Sequence, residues 1–294
     1  MSVNTFTSTE GTLHRVSHQV RHFRWDVALT TIILLVGAAI MIAPFAWIMQ
    51  VAVSNSARAY QLPPLFFPTS VTFQNFSNVL EDVPYLSFIR NSFFVAATIT
   101  VGQLITCPMA AYAFARLNFP GKHVLFIVLL ATLMIPVQVT IVPLFIFMRQ
   151  IGLYNTLWSV ILPPLISPFG VFLLRQYFMT IPTELEDAAR IDGASYVTIF
   201  WRIIVPLSMP AMMTLGIITF VFWWNEYFTP LIMIHDPNLQ VLPVGLTLLQ
   251  GRYSAGAAGN VAAGVTMAVI PILIVFLLLQ RHIIKSIAST GVKG

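Results

Sequence analysis

Residues 27–57 read VALTTIILLVGAAIMIAPFAWIMQVAVSNSA and contain no Asp, Glu, Lys or Arg over 31 positions. A helix needs about 20 apolar residues to cross the hydrocarbon core of a bilayer, which is about 30 Å thick. Five further charge-free intervals of sufficient length follow along the chain, at 91–115, 123–148, 150–174, 203–225 and 253–280. The sequence therefore predicts an all-α, polytopic membrane protein with six transmembrane helices.

The composition excludes several classes of protein. The 294 residues are 57% hydrophobic and only 9% charged, whereas an average soluble domain is about 25% charged. So few charged side chains cannot cover a water-facing surface, which excludes a soluble enzyme, a disordered chain and a nucleic-acid-binding protein. The interval 59–80 also lacks charge, but its three prolines and its Asn and Gln side chains predict a loop outside the membrane, because lipid leaves unpaired backbone groups without partners.

The positions of the basic residues predict the orientation in the membrane. If both termini are cytoplasmic, eleven of the 15 basic residues lie in inside segments and four in outside segments, as the positive-inside rule requires. The outside segments are then about 54–88, 149–156 and 235–260, and the one long inside loop is about 175–203. The outside set is Arg58, Arg90, Arg149 and Arg252, and the inside set is Arg15, Arg21, Arg24, Arg116, Lys122, Arg175, Arg190, Arg202, Arg281, Lys285 and Lys293.

The inside loop contains the stretch ELEDAARIDGA at 184–194, where charge is more concentrated than elsewhere in the chain. Thr183 and Glu186 form a capping-box pattern, which predicts that a helix begins here. Gly193 predicts its end, because glycine readily adopts the left-handed conformation common just after a helix. A second helical stretch is expected over 195–204. A short helical hairpin with small residues at 188 and 189 suits docking into a groove on another protein, and the alternative is a solvated connector between two spans.

This loop resembles the EAA loop of the inner-membrane permease subunits of ATP-binding-cassette (ABC) importers. The similarity covers about 88–294 and is strongest to the carbohydrate-uptake branch of that family, with Asp187 standing where the motif usually has Glu. Other matching stretches are Asn91-Ser92, Met134-Ile135-Pro136, Ser167-Pro168-Phe169-Gly170, Trp224-Asn225-Glu226 and Gly291-Val292-Lys293-Gly294.

The resemblance implies a type I ABC importer permease that moves a sugar or sugar-like solute into the cytoplasm. Its implied partners are a second homologous permease subunit, an ABC ATPase dimer, an extracytoplasmic solute-binding protein and the lipid of a bacterial-type cytoplasmic (inner) membrane. By the same resemblance, the inside loop couples the spans to the ATPase. The residues expected to make that contact are Glu186, Asp187, Ala188, Ala189, Asp192 and Gly193.

The sequence offers no chemistry of its own, so the chain is expected not to be an enzyme. Its only Gly-Lys pair is Gly121-Lys122, and Arg116 stands where a phosphate-binding loop needs its first glycine. The histidines show no metal-binding spacing, and no metal site is predicted. We expect no cofactor on this chain, with ATP and Mg bound by the partner ATPase.

The predicted substrate pathway is less sharply marked. Gln138 and Ser167 lie in the proline-rich third and fourth spans, where a broken helix can line a cavity. Trp224, Asn225 and Glu226 end the fifth span, where an aromatic ring could stack on a sugar or belong to the interfacial aromatic belt.

The domain prediction is a cytoplasmic N-terminal arm at 1–25, a six-span permease domain at 26–285 and a cytoplasmic tail at 286–294. Two alternatives remain at this point. One is a permease for a polyol or a glycerophosphate. The other is a gradient-driven secondary transporter, although none of the charge-free intervals holds the ionisable group that ion coupling would need.

Overall fold

The computed structural model describes residues 25–55, 70–253 and 258–291. Contacts divide the chain into two units, residues 1–46 and 47–294. Apart from Trp25, the N-terminal arm lies outside the described residues. The described segments are helical: α1 Trp25–Ala52, α2 Gln74–Asp82, α3 Tyr85–Arg116, α4 Lys122–Ala131, α5 Val137–Gln150, α6 Trp158–Ile161, α7 Pro168–Phe178, α8 Glu184–Ile191, α9 Tyr196–Ile199, α10 Val205–Leu207, α11 Met209–Asn225, α12 Phe228–Met233, α13 Leu242–Tyr253 and α14 Ala258–Gly291.

Among the residues that the structure describes, four helical segments are long and apolar enough to cross a membrane: Val27–Ala52, Tyr85–Arg116, Trp158–Phe178 and Ala258–Val275. Two bent pairs also pass that test, Lys122–Met134 with Val137–Gln150 at 101° and Tyr196–Leu207 with Met209–Asn225 at 74°. Within the described residues the count is therefore six when each pair is taken as one span, which agrees with the sequence-based prediction. The bends themselves were not predicted.

Two predicted loops contain helices. The prolines and amide side chains around 59–80 predicted a loop, but α2 begins at Gln74 and buries Asn75 and Val79 against the core. The Gly/Ala-rich segment at 235–260 contains α13. Both segments were therefore wrongly predicted to be loops throughout. At the other end, α14 continues through 286–291, which had been assigned to the tail, and 292–294 lie outside the described residues.

Helix α3 is the centre of the second unit, because it packs against both α7 and α11. Two of the three hydrophobic clusters lie at its opposite ends. One contains Tyr85 and Phe88 near its start, and another contains Cys107 and Tyr112 near its end together with Phe178 of α7. A movement at either end of α3 is therefore shared with the two helices beside it.

The span α6–α7 is broken by a 3₁₀ turn at Pro163–Leu165, followed by the extended residues Ile166 and Ser167. Side chains of α3 bind the carbonyls that this break frees. The Gln103 amide donates to Pro164 O at 2.8 Å, the Thr106 hydroxyl to Leu165 O at 2.5 Å, and the Cys107 thiol lies 3.6 Å from Ser167 O. The break thus keeps its backbone polar groups satisfied inside the protein, as a membrane requires.

Candidate coupling site

The coupling loop, defined as residues 175–203, begins where α7 ends and includes α8. The predicted helix start is confirmed, because Thr183 precedes α8 and its carbonyl accepts from the backbone N–H groups of Glu186 and Asp187. The capping box itself is wrong. The Thr183 side chain makes no capping hydrogen bond, and its backbone is already helical. The Glu186 side chain points elsewhere.

Glu186 is buried, with 3% of its surface exposed, and forms an ion pair with Arg116 at the end of α3. The Arg116 Nε to Glu186 Oε1 distance is 2.7 Å, although this N–H is not aligned for a hydrogen bond. The Tyr112 hydroxyl donates to Glu186 Oε2 at 3.3 Å. Arg116 also donates to the carbonyls of Phe178, at 2.8 Å, and of Ile181. One guanidinium therefore ties together the ends of α3 and α7 and the start of α8.

The turn after α8 has the predicted geometry. Gly193 has φ of +81°, in the left-handed region that side chains disfavour, and its N–H donates to Arg190 O at 3.0 Å. The Ser195 hydroxyl then accepts from Thr198 N at 3.3 Å and caps α9. The Arg190 guanidinium lies 4.9 Å from the centre of the Tyr196 ring. A left-handed glycine and a capped second helix thus set the angle of the hairpin.

The inner side of the hairpin is packed against the spans. Ile199, Phe200 and Ile204 are buried in the same cluster as Leu174 and Phe178. The Phe200 ring contacts the Tyr112 ring, with centroids 5.3 Å apart. Residues 200–204 form a π-helical turn between α9 and α10, so the hairpin runs without a linker into the fifth span.

The outer side of the hairpin is exposed and partly apolar. Ile191 is 88% exposed and Val197 is 67% exposed, and Ala188 is also exposed. The Asp187 carboxylate lies 3.9 Å from Arg190 on this side, and its side chain is 66% exposed. An apolar patch beside a carboxylate on a rigid hairpin has the composition of a protein-docking surface.

The structure separates the six predicted coupling residues into two groups. Asp187, Ala188, Asp192 and Gly193 are exposed, whereas Ala189 is half-buried and packs against the core. Glu186 is a correction: its carboxylate is bonded inside the chain, so it positions the hairpin and offers no surface for a partner. Ile191 and Val197 on the exposed side, and Arg116 as the anchor, were not predicted from the sequence. Arg116 could have been noticed as a lone charge at the end of a span.

The five predicted pathway residues are not brought together by any described hydrogen bond or ring contact. Trp224 is a correction, since it is buried in the core and stacks on Phe220 at 5.9 Å, so its ring cannot bind a sugar. Glu226 accepts from both the backbone N–H and the hydroxyl of Thr229, at 2.9 and 3.0 Å, and caps α12. The capping role was not foreseen.

The other three pathway residues differ in their surroundings. Ser167 caps α7 by accepting from Gly170 N at 3.1 Å. Asn225 is exposed, but its amide donates to Val221 O of its own helix at 2.7 Å. Gln138 is exposed on α5 directly after the 101° bend. Of the five, Gln138 and Asn225 are the two exposed residues.

Comparison with known proteins decides the family. Residues 105–289 match the model of the binding-protein-dependent transport system inner membrane component. The chain belongs to this family. It is thus a multi-pass subunit of an ABC transporter in the cytoplasmic membrane and not an enzyme. Membership favours ATP-driven transport over the gradient-driven alternative. The matched segment includes the coupling loop and the five helical spans from the latter part of α3 onward.

Three similar proteins illustrate the relationship. The arabinooligosaccharides transport system permease protein AraQ of Halalkalibacterium halodurans is 35% identical over 78% of this chain and 82% of its own. The sn-glycerol-3-phosphate transport system permease protein UgpE of Yersinia pestis is 31% identical over 88% and 95%. A crystal structure of a bacterial ABC transporter involved in the import of the acidic polysaccharide alginate matches with a TM-score of 0.75 and 25% identity, over 88% of this chain and 96% of that one.

Proposed function

We propose that this permease moves a sugar or sugar-like solute into the cytoplasm and that ATP hydrolysis on a partner drives the movement. The observation that carries the proposal is the geometry of the coupling loop. Its exposed side can bind an ATPase, while Glu186 and Arg116 connect its buried side to α3. A push or pull on α8 therefore reaches the spans through a short chain of contacts.

The partners follow from the family and from this geometry. An ABC importer permease works with a second permease and two ATPase subunits, and the family name specifies a solute-binding protein. ATP and Mg belong to the ATPase, since the sequence of this chain has no phosphate-binding loop. The eleven-to-four distribution of basic residues supports a cytoplasmic coupling loop and two cytoplasmic termini.

The nature of the solute is suggested by the relatives. AraQ is named for arabinooligosaccharides, and the alginate importer is named for an acidic polysaccharide. UgpE favours a second candidate, a glycerophosphate. Uptake of a labelled oligosaccharide and of labelled glycerol 3-phosphate into cells that contain the complete transporter separates the two solutes.

Copurification from mild detergent tests the coupling assignment. The wild-type permease should bring down an ATPase subunit, and Ala188→Trp should lose it, because an indole at this exposed position blocks a close-fitting partner. Ala39→Trp is the matched control, since Ala39 is an exposed alanine within the first span. Loss of the ATPase with both variants, or with neither, would contradict the assignment.

A further inference from the structure

A cavity of about 460 Å³ lies at the boundary of the spans on the same side as the coupling loop. Its walls come from the end of α3, the turn before α4, the start of α4 and Arg175 of α7. Arg175 on its wall is the first residue of the coupling loop and lies three residues before Phe178, whose carbonyl accepts from Arg116, so the cavity is close to the anchor of the hairpin; none of the lining residues belongs to α8 or α9. The residues that line it are Phe114, Phe119, Gly121, Lys122, His123, Val124, Phe126 and Arg175.

The polar lining of this cavity is basic. Lys122, His123 and Arg175 all line it, and among the described residues none of the three forms an ion pair with a carboxylate. The Lys122 ammonium donates to Leu117 O at 2.8 Å, and Arg175 Nε donates to Phe114 O at 3.2 Å. These neutral acceptors hold the two side chains in place without cancelling their charge.

Arg116, in the same region, is a guanidinium whose charge is paired with a carboxylate. Its charge is balanced by Glu186 at 2.7 Å, and two carbonyls accept from its terminal nitrogen. Arg175 has no such carboxylate, and its guanidinium carbon lies 4.1 Å from the centre of the Phe126 ring. Its two terminal nitrogens have no acceptor among the described residues. The cavity therefore has an excess of positive charge and hydrogen-bond donors on Arg175 that have no acceptor among the described residues.

The surroundings of the cavity favour a lipid as the source of the anion. Helix α4 begins at Lys122 and carries exposed apolar side chains in its next turns: Val124, Leu125, Ile127 and Val128 are between 51% and 63% exposed. An acyl chain can lie along this face while its phosphate contacts Lys122 and Arg175 in the cavity, because Lys122 is the first residue of the same helix. The backbone N–H groups of His123 and Val124, which have no acceptor among the described residues, add to the positive potential there.

We propose that this cavity binds the phosphate of an anionic phospholipid, such as phosphatidylglycerol, from the cytoplasmic leaflet. Lys122 and Arg175 bind the phosphate, and His123 lies at the rim. Basic pockets between helices on the cytoplasmic side are a known setting for such headgroups. The choice of leaflet rests on the proposed function, which makes the coupling loop cytoplasmic. The site then places a bound lipid beside the anchor of the coupling hairpin.

The experiment is native mass spectrometry of the complete transporter, released from nanodiscs of phosphatidylcholine with and without phosphatidylglycerol. The test variant is Lys122→Gln/Arg175→Gln. The matched control is Arg90→Gln/Arg149→Gln, which removes the same charge from exposed positions at the other ends of the spans. The test variant should bind phosphatidylglycerol about 25-fold more weakly, at about fivefold for each charge removed, and the control should bind it like the wild type.

Further arms separate the competing outcomes. Equal retention of phosphatidylglycerol and phosphatidylcholine by the wild type, or equal loss in the test and control variants, overturns the proposal. If millimolar inorganic phosphate protects the wild type against heat and displaces the lipid, the site binds free phosphate and the lipid assignment fails. If the test variant loses the second permease, the cavity belongs to a subunit interface. Absence of an ATPase from the wild-type complex would refute the proposed function instead, while lipid binding to the permease stays measurable.

Discussion

The two ends of α3 hold two loops in different ways. At the C-terminal end of α3, Arg116 fixes the coupling loop through an ion pair with Glu186. At its start, the Asn91 amide donates to the carbonyls of Asn238 and Gln240, at 2.9 and 3.0 Å. These two residues belong to the segment 234–242, which is named the outer loop because the proposed orientation places it outside. The coupling loop is thus held by a charged anchor, and the outer loop is held by neutral groups.

The outer loop is held at several further points. Asn155 Oδ1 accepts from His235 N and Asp236 N at 2.7 and 2.8 Å. The Ser92 hydroxyl accepts from Leu242 N at 2.7 Å. Several neutral hydrogen bonds are thus spread along the outer loop, whereas the start of α8 depends on one buried ion pair.

The largest expected effect comes from Arg116→Met. Removing one partner of a buried ion pair costs about 3–5 kcal/mol, because the other charge is left uncompensated. The variant should therefore lose most of its thermal stability and its copurifying ATPase, measured by a thermal melt in detergent and by pull-down. The double variant Arg116→Met/Glu186→Met should recover a substantial part of both. If the Arg116→Met variant melts at the same temperature as the wild type, Arg116 does not anchor the coupling loop.

The next effect is expected at the outer loop. Asn155 has φ of +59°, and Asn155→Ala leaves two backbone N–H groups without their acceptor, which should lower stability by about 2 kcal/mol. The thermal melt should shift accordingly, while the ATPase still copurifies. Asn155→Gly, which removes the bonds but relieves the positive φ, should be milder than Asn155→Ala. Loss of the ATPase in either variant would show that the two loops are not separate in function.

A smaller effect on stability is expected from the turn of the coupling loop. A β-branched residue in the left-handed region costs about 1–2 kcal/mol, and a Cβ added at Gly193 meets no atom within 4 Å. Gly193→Val should therefore reduce transport more than it reduces the melting temperature, since it misdirects α9 without a clash. Gly193→Asn is the control, because asparagine tolerates this conformation. Equal transport by both variants would mean that the hairpin angle is unimportant.

The sequence predicts the spans well because their signal is local. Charge-free length identifies each interval regardless of what it packs against. The bends at 101° and 74° cannot be predicted from charge-free length. Pro136 lies at the break between α4 and α5, whereas Pro143 lies inside α5 and does not end it. Whether a proline breaks a span depends on which groups receive the freed carbonyls. For the fourth span those groups are on α3, about 60 residues away in the chain.

The wrong predictions at the candidate site also concern contacts between residues that are far apart in the sequence. The pattern at Thr183 and Glu186 indicates a capping box, but Arg116 lies 70 residues earlier and takes the carboxylate. Trp224 has the residue type of a sugar platform, but its burial depends on Phe220 and the neighbouring helices. In contrast, Gly193 was predicted correctly, because a left-handed turn is a property of the local backbone.

Photo-crosslinking from Ile191 is the most direct test of the coupling loop as the docking site for the ATPase. A photoreactive phenylalanine is placed at Ile191, which is 88% exposed on the hairpin, and, as a control, at the exposed Asn238 of the outer loop. The account predicts a crosslink to the ATPase from position 191 and none from position 238. Absence of an ATPase adduct at position 191 in an assembled, transport-active complex, or an ATPase adduct at position 238, would contradict it.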